Sequence, residues 1–139
     1  HHCQADAIVM VNPAKTRLPC CRLECGLRMY VAATCAQKLL GVWGLPERGA
    51  NSALCLLDCR AIHTLGLRRP MDIVFLDAGG RELRRIDSLA PNRCAWSARA
   101  SCVIELPPTY CSRHPDYFRR IGQGLLKLVP AYRSRCRTR

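Results

Sequence analysis

Five residues in one stretch carry the donor types of a zinc or copper site: Cys55, Asp58, Cys59, His63 and Asp72. Thiolate, imidazole and carboxylate are the ligands those metals take, and Cys59 and His63 would project from one face of an extended strand. A metal site would then use Cys59 and His63 with Cys55 or Asp72 to complete it. The four-residue separation spans roughly 13 Å of strand, so a shared ion requires the backbone to turn between them. The bland alternative is a His63 hydrogen-bonded to Asp72 or to backbone, with the cysteines filling core. A thiol beside an imidazole can also serve nucleophilic catalysis. His114 and the terminal His1 and His2 read as exposed and suit that role less.

Two carboxylates need separate treatment. Asp72 follows Pro70 at the opening of an apolar run, a place where a carboxylate satisfies the N–H groups of nearby loops. Glu105 lies in another apolar run, VIELP. Facing inward it needs a cation, for which Arg60, Arg68 or Arg69 would serve, or else it lines a ligand pocket. No G-x-S-x-G, phosphate-binding loop or dinucleotide glycine fingerprint occurs, and the acids are too scattered to form a catalytic pair. These absences point away from an enzyme and toward a binding module centred on Cys59, His63, Thr64, Asp72 and Glu105.

Charge supplies a different chemistry. Lys plus Arg number 22 against 10 acids, a net charge of +12, and only three of the 22 are Lys. Arginine pairs bidentately with phosphate and carboxylate, so an anionic partner such as nucleic acid, anionic lipid or an acidic protein is one reading, and a solvated basic surface is the other. Arg133, Arg135, Arg137 and Arg139 alternate along the C-terminal tail. Extended, they would lie on one side about 7 Å apart, a spacing able to track phosphates. Aromatic residues are 6% of the chain, few for base stacking.

The 11 cysteines are an odd number with no C-x-x-C pair. Cys35 and Cys102 fall in apolar surroundings and read as buried thiols, which suits a reducing compartment. Cys20-Cys21-x3-Cys25 is the cluster that reads as a metal site or a local disulfide.

The elements that position these groups read mainly as strands. At 139 residues and 49% hydrophobic, the chain fits one domain with a real core, and no apolar run is long enough to span a membrane. AIVMV (7–11) reads as a short strand in an N-terminal arm over 1–25. LRMYVAA (27–33) reads as a strand, and Thr34 then caps a helix over 35–43 in which Trp43 is core. Residues 52–67 give strands broken near 58–60. MDIVFLD (71–77) is the clearest strand, turning through Ala78-Gly79-Gly80 into a more polar partner, GRELRRIDSL. An irregular loop runs from Pro91 through Trp96, and SCVIELP (101–107) is a further strand. Residues 109–120 read as short helical pieces limited by Pro115, Gly122 and Gly124 bracket a turn, and 125–129 reads as a last strand. The domain proper spans 26–129, followed by the basic tail 130–139. The expected fold is a compact β-sandwich or barrel-like single domain with one or two short helices.

The stretch HTLGLRRPMDIVFLDAGGREL resembles the signature of the bacterial and archaeal family called "domain of unknown function 192". That signature runs through Cys59, His63, Thr64, Pro70, Asp72, Phe75, Leu76, Asp77 and Gly80, with VIELP (Glu105, Pro107) as the later strand. LRMYVAATCAQKLLGVWG is similar to the family's earlier strand and helix. The chain departs from the pattern at Leu67 and Arg69, where the family usually has Met and Phe. The resemblance covers roughly 26–129 and implies a compact, mainly β domain with no activity to carry over. It leaves an unidentified protein or small ligand as partner. Many members are exported. The location expected is cytoplasmic as the sequence stands, and exported if a signal peptide was removed.

Overall fold

All six side chains of Met71–Leu76 are buried, and so are all five of Cys102–Leu106. A strand buried on both faces must sit inside a sheet with a layer on each side, and this fixes the architecture. The structure is a computed structural model that describes residues 8–10, 17–23, 26–33 and 52–129. Its strands are β1 (Ile8–Met10), β2 (Arg17–Arg22), β3 (Arg28–Ala32), β4 (Ser52–Leu57), β5 (Ala61–His63), β6 (Met71–Leu76), β7 (Glu82–Leu89), β8 (Cys94–Trp96) and β9 (Cys102–Leu106). Two helices follow, α1 (Tyr110–Arg113) and α2 (Tyr117–Leu128).

Seven strands form one sheet in the order β1-β2-β3-β4-β9-β6-β7, and β5 pairs with β8 in a small second sheet. The large sheet is open, with β1 and β7 at its edges, so the layers make a sandwich and not a closed barrel. β3 and β4 run parallel, with Tyr30 opposite Leu54; the other pairings are antiparallel. One face carries Met29, Val31, Cys55, Val74, Leu76 and Ile104, and α2 covers it with Tyr117, Ile121 and Leu125. Ile121 and Leu125 are four residues apart and so share a helix face. The opposite face carries Tyr30, Leu54, Ile73, Phe75 and Val103, covered by Ile62 of β5 and Ala95 of β8.

The fold is mainly β, as the strand patterns require, and the hairpin of β6 and β7 forms with Val74 opposite Arg85. Gly80 has φ of 83° in its turn, a conformation open to glycine. Two local readings change. The loop expected through Trp96 contains β8, because Ala95 docks in the core beneath it and Ile62 lies opposite. Residues 125–129 are not a strand: α2 runs through Gly122 and Gly124 to Leu128. Gly124 is there for packing, since a Cβ on it would lie 2.5 Å from Met29 Sδ. Within the arm over 1–25, β2 pairs with β3 through Cys21 opposite Met29. The helix expected over 35–43 with Trp43, and the arginine tail from Arg133 to Arg139, lie outside the described residues.

Candidate basic face on the small sheet

The 59–72 segment divides into groups that hold the fold and groups that face solvent. Thr64 is buried, and its hydroxyl donates to the Ala90 carbonyl at 2.6 Å while accepting the Arg93 N–H at 2.9 Å. Its backbone N–H donates to the Arg93 carbonyl, and its carbonyl accepts from Asn92. Thr64 therefore staples the loop before β8 to the end of β5, and its polar atoms are consumed in doing so.

Asp72 is wholly buried and accepts three backbone N–H groups: Ser88 at 2.8 Å, Thr109 at 3.2 Å and Cys111 at 2.8 Å. The loop-satisfying role that the sequence suggests is the one its carboxylate performs. Thr109 sits at φ of 61°, a left-handed turn into α1 that this anchor supports. Glu105 is also buried, between Leu54 and Ile73 in register. Arg60, Arg68 and Arg69, its expected counter-ions, are exposed instead.

The expected metal ligands do not gather. Cys55 packs on the α2 face of the large sheet, whereas Cys59 packs against the other core cluster. Cys55 instead adjoins Cys102: their hydrogen bond and the burial of Cys55 push its thiol well up. Cys59 donates to the Ala61 carbonyl at 3.0 Å. Among the described residues, the His, Cys, Asp or Glu ligand atoms that lie within 4.8 Å of one another in threes belong to Asp72, Asp87 and Cys111. That trio does not suit an ion. Asp72 is spent on N–H groups, Asp87 is paired to Arg85 at 2.6 and 2.9 Å, and burial beside Asp72 pushes the Cys111 thiol up to about 12. In the cysteine-rich arm, Cys21 is disulfide-bonded while Cys20 beside it is a buried thiol.

Sequence reasoning left out the other half of the solvent-facing site. On the small sheet, Ile62 and Ala95 point into the core, so alternation turns Ala61, His63, Cys94 and Trp96 outward. His63 lies opposite Cys94, and Ala61 lies opposite Trp96. The His63 Nδ1 accepts the Leu65 N–H at 3.3 Å, which orients the ring. Trp96 is 65% exposed, unusual for the largest side chain, and Leu65 beside His63 is exposed as well.

Arginines flank this face in the sequence. Between Asp58 and Asp72, and between Asp87 and Glu105, the stretches that carry β5 and β8 contain Arg60, Arg68, Arg69, Arg93 and Arg99 and no acid. All five are exposed and make no ion pair among the described residues. From β7, Arg84 donates to the Trp96 carbonyl at 2.9 Å and adds a sixth guanidinium at β8. The arginines that are paired lie elsewhere, on the hairpin turn (Arg81 with Asp77), on β7 (Arg85 with Asp87) and on α2 (Arg119 and Arg120 with Asp116). The signal for this face was legible as a five-arginine, acid-free pair of segments. Only the pairing of β5 with β8 unites them.

No family model matches the chain, and no curated protein matches it. Two solved structures share its fold. A protein of unknown function from Novosphingobium aromaticivorans is 18% identical with a TM-score of 0.61, over 80% of this chain and 88% of that one. A "putative transcription regulator" from Sinorhizobium meliloti is 15% identical with a TM-score of 0.54, over 63% of this chain and 73% of that one. At these identities the likeness is one of fold. No helix among the described residues is long and apolar enough to cross a membrane.

Proposed function

We propose that the chain is a non-enzymatic binding module that presents the outer face of β5 and β8 to an anionic partner. The observation that carries this reading is the set of five exposed arginines on the two stretches that carry β5 and β8, neither of which holds an acid between its own arginines. Guanidinium groups with no internal carboxylate raise the local concentration of anions and bind phosphate or carboxylate in a forked geometry. Thr64 supports the face from beneath by fixing the loop before β8. The anion-binding residues are thus Arg60, Arg68, Arg69, Arg93 and Arg99.

The test uses inorganic polyphosphate as the probe. Binding should weaken linearly on a log–log plot as salt rises, because each phosphate that is neutralised releases counterions. Arg68→Ala with Arg69→Ala should lower the slope by about two, one for each guanidinium removed. Binding unchanged by that pair, or absent at low salt, would defeat the reading. Membership of the domain of unknown function 192 family is a second proposal. It is supported by Cys59, His63, Thr64, Pro70, Asp72 and Gly80 in the family's order.

A further inference from the structure

We infer that the anionic partner is single-stranded nucleic acid, with Trp96 and His63 as the stacking platforms for neighbouring bases. This rests on the anion-binding reading above and names the ligand class of the same face. A polyanion needs only guanidinium groups, so the exposed Trp96 ring and the half-buried His63 ring on the same face are the feature that a general anion site leaves unexplained. Their placement is specific. Trp96 lies opposite Ala61, and His63 lies opposite Cys94, so the two rings occupy one diagonal of the outer face and the two small side chains the other. Diagonal neighbours on a sheet face stand roughly 7–8 Å apart. That separation leaves room for a base against each ring, and the small residues leave the ring faces uncrowded.

The surroundings fit the rest of a nucleotide strand. Arg60 adjoins the end of β8, because its carbonyl accepts the Ser97 N–H. Arg93 precedes β8, Arg99 follows it, and Arg84 binds the Trp96 carbonyl. Guanidinium groups therefore lie at both ends of the strand that carries the tryptophan, where a backbone passing over the rings would place phosphates. Stacking rings between rows of cations is the arrangement by which sequence-blind single-strand binders work. A duplex offers phosphates but keeps its bases stacked on one another, so it can use the arginines and not the rings.

The experiment titrates the full chain with a fluorescein-labelled 12-mer of deoxythymidine, with the same-length duplex, inorganic polyphosphate and phosphatidylserine vesicles as separate arms. The 12-mer should bind more tightly than the duplex at equal phosphate. Trp96→Ala should weaken the 12-mer by about 5- to 150-fold, the loss of one stacked base, while leaving polyphosphate binding unchanged. Trp96→Phe should restore most of the loss. The ring is exposed, so the unfolding midpoint of each variant should match the parent and show that the fold is intact. Equal loss of 12-mer and polyphosphate, or none of either in Trp96→Ala, would overturn the stacking inference while the anion reading stood. Preference for vesicles over the 12-mer would replace nucleic acid with a lipid surface. No binding of any anion would defeat both.

Discussion

The carboxylate of Asp72 accepts a 2.8 Å hydrogen bond from the backbone N–H of Cys111, 39 residues further along the chain. With Ser88 and Thr109 as its other donors, Asp72 joins the start of β6 to the end of β7 and the entry of α1. Asp72→Asn keeps the shape but turns an amide NH2 toward backbone donors. Leaving a buried donor unpaired costs about 1–3 kcal/mol, so urea denaturation should show a loss of that order. An unchanged midpoint would mean that these N–H groups find other acceptors.

Two glycines of α2 should respond oppositely to alanine. Nothing lies within 4 Å of a Cβ built on Gly122, so Gly122→Ala should stabilise the helix by about 1 kcal/mol. A Cβ on Gly124 meets Met29 Sδ at 2.5 Å and Met29 Cβ at 3.5 Å, and Met29 is wholly buried. Gly124→Ala should therefore destabilise, by about 1–3 kcal/mol for an overpacked site. Combined with Met29→Val it should cost less than the sum of the two single changes. Additive losses in a double-mutant cycle would show that the two residues do not press on each other.

Asp77 makes the β6–β7 turn sensitive to acid. Burial pushes its carboxyl up, but the Arg81 N–H and guanidinium and the Gly79 N–H together hold it below its ordinary value of 3.8. A depressed carboxyl stabilises the fold fully above the unfolded value and loses that contribution as pH falls through the folded one. Asp77→Asn should thus cost stability at pH 7 and progressively less below about pH 4. Thermal unfolding of both proteins at several pH values would measure it. A difference independent of pH would remove the charge from the explanation.

The thiols of Cys94, Cys111 and Cys55 should separate sharply in reactivity. Cys94 is exposed on the outer face of the small sheet. Cys111 is buried beside the Asp72 charge, and its thiol is pushed up to about 12. Because the folded value exceeds the ordinary 9.0, its proton is held more tightly in the native state than in the unfolded one. The associated stability is complete below about pH 9 and declines as pH rises toward 12. Brief iodoacetamide treatment at pH 8.5 followed by peptide mass mapping should mark Cys94 and spare Cys111 and Cys55. Labelling of Cys111 at the rate of Cys94 would show that the α1 entry opens.

The legible parts of this chain are those whose signal is local. Met71–Leu76 is apolar and β-branched between a proline and a glycine turn, so its strand and hairpin follow from adjacent residues alone. Asp72 was readable in the same way, as a carboxylate beside loops that need acceptors. Cys94-Ala95-Trp96 carries no such signal, because three residues have too little periodicity to register. Leu125–Leu128 misled for the opposite reason: two glycines suggested a break where packing against Met29 required a missing side chain.

Sequence alone determined the strand-rich character, the excess of arginine and the 59–72 segment as the place to look, since composition and neighbouring residues suffice for each. Tertiary structure decided which atoms of that segment remain available. The pairing of β5 with β8 brings His63 and Trp96 together from 33 residues apart. It also sends Cys55 and Cys59 to different core clusters. A side chain's face depends on which partner strand it meets and in what register, and one residue of slip would reverse it. That information lies in the meeting of distant segments, which no local pattern contains.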